Sequence, residues 1–255
     1  MYQEIIEIFI LSIVQGVSEF LPVSSSAHLI LVSNLYNLKN SSLLIDISLH
    51  LGSLLAIVFY FRKDLFNLKE NKKLLQLILI GSIPLIIFGY LLHTTEVIDL
   101  LRNIKVIAWT TLSFGIILFF SDQRKVNKNI SNDLNFKDII FIGIFQMLAL
   151  IPGVSRAGIT ITAARFLKFN RFDSGKISFL LSIPALAGAS FLGLKDAFSQ
   201  SIQFNYLIIA AAGLSFIFSY LTVKFFLIYI NKFSLKVFVI YRILIASILF
   251  LIIYF

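Results

Sequence analysis

The sequence predicts an all-α polytopic membrane protein, and three observations support that fold class. Hydrophobic residues make up 58% of the 255-residue chain, and 27 residues are phenylalanines. The mean hydropathy is +0.93, well above the usual range of soluble domains. Apolar windows of about 17 or more residues recur along the chain, as repeated membrane crossings require. We therefore expect one integral membrane domain that covers residues 1–255.

Ten apolar segments can be identified, and all of them are predicted to be helical. In each half of the chain, two short segments are followed by three that approach or exceed the ~20 residues of a membrane span. The segments are roughly 4–21, 24–36, 43–61, 74–92, 104–120, 139–151, 154–167, 177–194, 206–230 and 238–255. This order predicts two repeats, one at about 1–120 and one at about 136–255.

A polar turn interrupts each pair of short segments, which predicts a re-entrant helical hairpin that enters and leaves on one side. Each half then crosses the membrane three times, and because three is odd, the second half is inverted relative to the first. The prediction is an inverted repeat of two five-segment halves, with six spanning helices and two re-entrant hairpins. A ten-crossing alternative is disfavoured because segments 24–36 and 139–151 are short for a bilayer.

The distribution of charge predicts the orientation of the chain in the membrane. The net charge is +9, but no dense basic tract with interleaved aromatic residues occurs, so no nucleic-acid partner is expected. Fourteen Lys and Arg residues lie in loops on one predicted face and four on the other. The positive-inside rule places the first face in the cytoplasm and both termini outside. We expect no removable signal peptide, and the absence of cysteine excludes disulfides and thiolate metal sites.

The first polar stretch contains groups suited to acid–base chemistry and to anion binding. Glu19 follows Gln15 by one helical turn, so together they could hold a hard divalent cation, or Glu19 could act as a base. Pro22 ends the half-helix, and the serines after it begin the next helix, whose N-terminus attracts anions. His28 follows Ser25 by three residues, close enough for an imidazole to activate a hydroxyl nucleophile.

The second polar stretch, residues 146–160, repeats the order of the first. When the two stretches are aligned from their glutamines, Val23-Ser24 falls on Val154-Ser155. Gly153 allows close approach of the backbone, and Arg156 offers a planar fork suited to phosphate oxygens. Hydroxyl, imidazole, carboxylate and guanidinium groups with two helix N-termini indicate a site that breaks or carries a phosphate ester.

These two motifs closely resemble those of the undecaprenyl-diphosphate phosphatases of the bacitracin-resistance BacA type. That family has a (Glu/Gln)-xxx-Glu motif, matched here by Gln15 and Glu19, and a Pro-Gly-x-Ser-Arg-Ser-x-x-Thr motif, matched from Pro152 to Thr160. The resemblance extends over essentially the whole chain. It implies a catalytic set of Glu19, Ser25, His28 and Arg156. The two polar turns are further predicted to bind the substrate phosphates through Ser24, Ser26, Gly153, Ser155 and Thr160.

The resemblance also implies an activity, a location and a cofactor. The chain is expected to convert undecaprenyl diphosphate to the monophosphate at the outer face of the bacterial cytoplasmic membrane. It would thereby recycle the lipid carrier of peptidoglycan precursors, and its loss would sensitise cells to bacitracin. Family members need Mg²⁺ or Ca²⁺, for which Glu19 and Gln15 are the candidate ligands. The expected partners are the polyprenyl diphosphate and membrane lipids, and the sequence leaves open whether a homodimer forms.

Two positions depart from the family pattern. Ala157 stands where the family usually has Ser, so a hydroxyl at this position is not indispensable here. Gln15 leaves a single carboxylate in the first motif, and a cation held by Gln15 and Glu19 alone would bind weakly. The cation is therefore expected to rely mainly on diphosphate oxygens.

The mechanistic hypothesis makes Ser25 the nucleophile that attacks the terminal phosphorus. His28 takes the Ser25 proton, and Glu19 orients His28 or the metal. Arg156, the cation and the helix N-termini neutralise charge on the transferring phosphoryl group. A direct attack by His28, which would give a phosphohistidine, is the competing scheme, and the sequence does not separate the two.

Two other classes of function fit parts of the sequence. A lipid-phosphate transporter or flippase would use the same architecture and the same midplane site, but it needs no nucleophile. A structural membrane protein without chemistry would carry buried Glu19 and Arg156 at a cost in stability. His50 is interpreted as a packed helix-interface residue and is left out of the catalytic set.

Overall fold

The structure is a computed structural model of the chain, and it describes residues 2–25, 28, 43–95, 101–199 and 206–254. The candidate residue Ser26 and most of the predicted segment 24–36 lie outside the described residues. All named elements in the described part are helical, which confirms the all-α class. They are α1 (Tyr2–Ser18), α2 (Leu43–Tyr60), α3 (Arg62–Phe66), α4 (Leu68–Thr94), α5 (Ile104–Asp122), α6 (Ile130–Asp133), α7 (Phe136–Met147), α8 (Arg156–Phe166), α9 (Arg171–Ser199), α10 (Tyr206–Lys232) and α11 (Lys236–Tyr254), with a 3₁₀ turn (Leu148–Leu150) after α7.

Six helices within the described ranges are long and apolar enough to cross a membrane. They are α2, α4, α5, α9, α10 and α11, and they coincide with the six predicted spanning segments. By contrast, α7 has 12 residues and α8 has 11. At 1.5 Å per residue α7 is only about 18 Å long, well short of a hydrocarbon core of ~30 Å. The prediction of six spans is confirmed.

The second hairpin, formed by α7 and α8, enters and leaves on one side of the bundle. The Lys128 side chain contacts Asp138, at the start of α7, at 3.0 Å. The backbone N–H of the same Lys128 donates to the carbonyl of Lys168, just beyond α8, at 3.2 Å. Because one residue touches both ends of the hairpin, α7 and α8 together are re-entrant rather than spanning.

A buried aspartate holds four chain segments together on that same face. The Asp122 carboxylate at the end of α5 accepts from Arg171 at 2.7 Å and from the N–H of Leu235 at 3.0 Å. The buried Arg165 guanidinium donates to the Asp122 carbonyl at 2.9 Å. The ends of α5 and α8 and the starts of α9 and α11 therefore share the face that carries most of the basic loops.

Helices from the two halves of the chain pack against each other. The first helix of each half packs against a spanning helix of the other half, α1 against α10 and α7 against α4. The largest hydrophobic cluster accordingly contains Phe20 and Ile57 from the first half and Phe179 and Val223 from the second. The inverted relation between the halves stays a prediction.

Small residues allow α2 and α10 to pack closely. A Cβ added to Gly52 would lie 2.2 Å from the carbonyl oxygen of Ala212, so the two backbones are in contact there. One residue further, the Ser53 hydroxyl contacts Ser219 at 2.9 Å and Ser215 at 3.2 Å. Close backbone approach and buried hydroxyl contacts are typical of helix association in lipid, where apolar burial alone gives no advantage.

Gly52→Ala should destabilise the protein because the new methyl group would overlap the backbone of α10. We expect a loss of about 1–3 kcal/mol, the usual cost of overpacking a filled interior. The matched control is Gly213→Ala on α10, where an added Cβ meets nothing within 4 Å. This control should be neutral or slightly stabilising, since alanine favours helix more than glycine does. Equal thermal unfolding midpoints of the two variants in detergent would contradict the close α2–α10 packing.

Candidate active site

The two polar turns meet inside the helix bundle. The Ser155 hydroxyl donates to the carbonyl of Leu21 at 3.5 Å, and the Arg156 guanidinium donates to the carbonyl of Glu19 at 3.3 Å. Val23 and Val154, the valines of the two Val-Ser pairs, are both buried. The structure therefore brings the tip of the first hairpin against the tip of the second.

Both serines of the Val-Ser pairs have a backbone conformation that L-residues rarely adopt. The φ angle is 78° at Ser24 and 70° at Ser155. Such non-glycine positions cost about 1–3 kcal/mol and persist only where surrounding contacts hold them. The Ser155 hydroxyl accepts from the N–H of Gly158 at 3.1 Å and so caps α8. The alignment of the two polar stretches thus corresponds to a shared backbone turn.

The Glu19 carboxylate is the centre of the polar contacts between the tips. One oxygen, Oε1, accepts from Arg156 at 3.0 Å. The other, Oε2, accepts from the Ser25 hydroxyl at 2.8 Å and from the Gln15 amide at 3.1 Å. Glu19 is only 7% exposed, so this charge is balanced by buried partners rather than by water. Four residues named from the sequence therefore form one connected group.

Arg156 is held in place from two sides and keeps one donor free. Its Nη1 donates to the carbonyl of Ser178 on α9 at 3.1 Å, and its guanidinium lies 5.9 Å from the centre of the Phe20 ring. Its buried Nε has no hydrogen-bond partner among the described residues. A guanidinium at the N-terminus of α8 with an unused donor is suited to bind an additional oxyanion.

Three residues predicted to contact phosphate have other partners in the structure. Ser155 caps α8, as described above. Gly153 has a φ of 89°, and a Cβ there would lie 2.1 Å from the Thr110 hydroxyl, so the glycine is needed for packing against α5. The buried Thr160 hydroxyl donates to the carbonyl of Arg156 at 2.8 Å and contacts Ser178 at 2.7 Å. These side chains build the turn and support Arg156. Ser24 is also buried in the turn.

His28 does not contact Ser25 in the way that its spacing predicted. Its Nδ1 lies 2.6 Å from the carbonyl of Ser24, and its Nε2 lies 2.5 Å from the hydroxyl of Tyr241. Because a carbonyl only accepts, Nδ1 carries the hydrogen and Nε2 accepts from Tyr241. The two rings are also stacked, with centroids 5.7 Å apart. In the structure the Ser25 hydroxyl therefore donates to Glu19 rather than to His28, and the expectation that His28 takes the Ser25 proton stays a prediction.

Arg242 on α11 joins the two tips and was missed by the sequence analysis. Its guanidinium donates to the carbonyl of Pro22 in the first tip at 3.2 Å. It donates to carbonyls of the second tip at 2.9 Å for Gly153 and 3.1 Å for Val154. Two further carbonyls on α5, those of Thr110 and Thr111, complete the set at 3.4 and 3.1 Å. The side chain is 1% exposed. It donates to backbone carbonyls in the tips that have no intrahelical hydrogen-bond partner because the helices end there.

A signal for Arg242 was present in the sequence. It lies inside the predicted spanning segment 238–255, where a charged residue is costly and marks a functional or structural site. The same rule selected Glu19 and Arg156, but those residues also lie in motifs with recognisable chemistry. Tyr241 gave no such signal, because tyrosine is common in membrane helices and its partner His28 is far away in the sequence.

The metal-binding capacity of the site is limited. The described residues contain no group of three or more His, Cys, Asp or Glu side chains that could hold a metal ion. The buried Oε1 of Gln15 has no hydrogen-bond partner within the described ranges, and it belongs to the same group as the Glu19 carboxylate. One amide oxygen and one carboxylate fit a hard cation, but they supply a minority of the six or more oxygen ligands that Mg²⁺ or Ca²⁺ requires.

Taken together, the group can deprotonate a hydroxyl and bind an oxyanion at the same place. The Ser25 hydroxyl already donates to a carboxylate, and that carboxylate is paired with a guanidinium. The Glu19 carboxylate therefore lies within hydrogen-bond reach of the proton that a general base would remove from Ser25. The arrangement is suited to phosphoryl transfer with a serine nucleophile.

Comparisons with known proteins show similarity to one family. The family model for bacitracin resistance protein BacA matches residues 8–248. A protein of Pelagibacter ubique (strain HTCC1062) named undecaprenyl-diphosphatase is 66% identical over 255 residues, which is 100% of both chains. Proteins of the same name from Elusimicrobium minutum (strain Pei191) and Jannaschia sp. (strain CCS1) are 43% and 38% identical. They cover 94% and 97% of this chain, and 95% and 98% of their own lengths.

Arg242→Lys should destabilise the protein, because an ammonium cannot reach carbonyls in both tips and on α5 at once. Hydrogen bonds to charged groups contribute about 1.5–3 kcal/mol each, so we expect a loss of at least about 2 kcal/mol. The control is Arg124→Lys at an exposed position, which should change stability by no more than about 0.5 kcal/mol. Unfolding midpoints in detergent measure both effects. An Arg242→Lys variant as stable as its control would show that the guanidinium does not hold the tips.

Proposed function

This chain belongs to the bacitracin resistance protein BacA family, and from that membership we propose that it hydrolyses undecaprenyl diphosphate to undecaprenyl phosphate and inorganic phosphate. The observation that carries the proposal is one carboxylate in contact with both a hydroxyl and a guanidinium. Glu19 accepts from Ser25 at 2.8 Å and from Arg156 at 3.0 Å. The relatives named undecaprenyl-diphosphatase support the choice of substrate, since they match this chain over nearly its whole length.

In the first step Ser25 attacks the terminal phosphorus. The bond from its Oγ to phosphorus forms while the bond from phosphorus to the bridging oxygen breaks. Glu19 takes the hydroxyl proton and passes it to the leaving bridging oxygen, so undecaprenyl phosphate departs. Arg156 binds the oxygens of the phosphoryl group, on which negative charge must be neutralised in the transition state.

In the second step water releases phosphate from Ser25. Glu19 removes a proton from the water as it attacks, and the same proton returns to Ser25 as its oxygen leaves. His28 acts as a positioning residue in this scheme, because its Nδ1–H contacts the carbonyl of Ser24, the neighbour of the nucleophile. The competing phosphohistidine scheme requires the lone pair of Nε2, which faces the hydroxyl of Tyr241.

The proposed cofactor is a divalent cation, Mg²⁺ or Ca²⁺. Gln15 Oε1 and Glu19 would hold it together with diphosphate oxygens, and when bound it would supply further neutralisation of phosphate charge. Three hydrogen bonds use part of the acceptor capacity of the Glu19 carboxylate, whose two oxygens have about four lone-pair directions.

The proposed location is the bacterial cytoplasmic membrane, with the site open to its outer face and both termini outside. The excess of basic loops on the opposite face supports this orientation. There the reaction would recycle the lipid carrier of peptidoglycan precursors and confer bacitracin resistance. Labelling of single cysteines tests the orientation directly, since the chain has no cysteine of its own.

Glu19→Gln and Arg156→Lys should each lower kcat for phosphate release from undecaprenyl diphosphate by at least about 10²-fold. The first removes the proton acceptor, and the second removes the planar fork that binds the phosphoryl oxygens. The assay uses protein in detergent with Mg²⁺ or Ca²⁺ present. Addition of EDTA should abolish wild-type activity, and excess cation should restore it.

The controls for this assay make the same chemical changes at exposed positions. Glu70→Gln and Arg124→Lys should retain wild-type kcat. Equal activity of all four variants would contradict the assigned roles. If the wild-type protein moves lipid phosphate across the membrane of vesicles but releases no phosphate in detergent, the result would favour the transporter alternative.

Substrate labelled in its terminal phosphate should transfer label to wild-type protein as an acid-stable adduct, as expected of a phosphoserine. Ser25→Ala should give no adduct, because it lacks the attacking oxygen. His28→Asn should still form the adduct, at a lower rate. An acid-labile adduct that persists in Ser25→Ala would contradict attack by Ser25 and favour a phosphohistidine intermediate.

A further inference from the structure

An apolar groove of about 350 Å³ lies beside the first hairpin, between α1, α10 and α11. We call it the α10 groove, and its walls include Val17, Leu21, Phe218, Leu221, Phe225 and Phe238. Its two hydroxyl-bearing residues face inward to the protein backbone. Thr222 donates to the carbonyl of Phe218, and Tyr229 donates to the carbonyl of Ser234. The groove therefore offers hydrocarbon and aromatic surface to a ligand rather than hydrogen bonds.

One end of the α10 groove adjoins the candidate active site. Leu21 is two residues from Glu19, and its carbonyl accepts from Ser155 of the second tip. A continuous series of aromatic contacts joins the two places. Phe20, beside Glu19, packs edge-on against Phe179 with ring centroids 5.4 Å apart. Phe179 contacts Phe226, which lines the groove, at 5.6 Å.

The groove runs along the second half of α10 and is open to the lipid. Phe225 is 61% exposed and Leu221 is 41% exposed, so a hydrocarbon chain can enter from the side. Phe226 and Phe238 form a rigid wall, because their rings are in edge contact at 5.4 Å. A fixed aromatic wall favours ligands whose shape fits it, whereas bulk lipid chains gain little from leaving one apolar surface for another.

We propose that the α10 groove binds the isoprenoid units of the substrate nearest to its diphosphate. The proposal rests on the proposed function, because it takes the diphosphate to be held by Arg156 and Glu19. A lipid bound by its head at the tips has its first isoprenoid units within reach of Leu21 and the aromatic wall. Contacts along the groove would fix the direction of the bridging bond relative to Ser25, as productive attack requires.

The first test fills the groove without touching the polar group. Leu221→Trp should raise KM for undecaprenyl diphosphate by about 10-fold with little change in kcat, the size of effect expected of a poor fit in an apolar pocket. The matched control is Ile209→Trp on the same helix, at a position that is 76% exposed and does not line the groove. Unchanged KM in Leu221→Trp, or an equal rise in both variants, would overturn the proposal.

The second test does not depend on turnover and uses the wild-type protein. An undecaprenyl diphosphate analogue with a photoreactive group close to the diphosphate should label the peptide that contains Phe218–Tyr229. Excess undecaprenyl diphosphate should prevent this labelling. Labelling confined to other helices would overturn the proposal, and it would do so whether or not the protein releases phosphate.

Two other occupants of the groove are distinguished by the same experiments. A phospholipid with a photoreactive acyl chain should label the groove weakly, and undecaprenyl diphosphate should displace it. Strong phospholipid labelling that undecaprenyl diphosphate does not displace would assign the groove to ordinary lipid. A change in the association of protein copies in Leu221→Trp, with unchanged KM, would assign it to a second copy of this chain. Either result would contradict the proposal.

Discussion

Three backbone carbonyls at the meeting point of the hairpins accept from one guanidinium, that of Arg242. A helix broken inside the bilayer leaves carbonyls without their intrahelical partners, and no water is present to satisfy them. Arg242 has five N–H donors in a fixed plane, and it contacts carbonyls of Pro22, Gly153 and Val154 as well as two on α5. Such a donor stabilises the two tips where they end next to each other. The geometry of the rest of the site depends on this contact between the tips.

The two arginines that join the tips consequently have different tasks. Arg242 is saturated by backbone acceptors and is 1% exposed, so little of its donor capacity remains for a ligand. Arg156 is paired with Glu19, and its Nε has no hydrogen-bond partner in the described part of the chain. It also stands at the start of a helix whose N-terminus attracts anions. The first arginine fixes the position of the tips, and the second presents positive charge to whatever binds between them. This division explains why a charge as costly as Arg242 is tolerated in a membrane helix.

Sequence reasoning succeeded where local pattern determines structure and failed where distant contacts decide. The hydrophobic segments predicted the six spans, and the aligned Val-Ser pairs corresponded to the turn with positive φ at Ser24 and Ser155. The spacing of His28 from Ser25 suggested a base and its nucleophile. Instead, His28 contacts Tyr241, a residue more than 200 positions away that no local pattern indicates. The contact of Thr160 with Ser178 was not predicted either, because Ser178 comes from another helix.

The balance of charge in the site gives a physical reason for the proposed cation. Glu19 and Arg156 form a pair whose charges cancel, and Gln15 adds none. The positive charge of Arg242 is spread over backbone carbonyls in the tips. A diphosphate brings several negative charges to a largely buried site, and burying uncompensated charge costs several kcal/mol per ion. One unused Arg156 donor and the N-terminus of α8 offset only part of that charge. A divalent ion that binds together with the diphosphate would bring its own compensation, so in this proposal the protein would contribute only Gln15 and Glu19 as ligands. A second carboxylate at position 15 would strengthen binding of the ion but would add negative charge where the lipid head must enter.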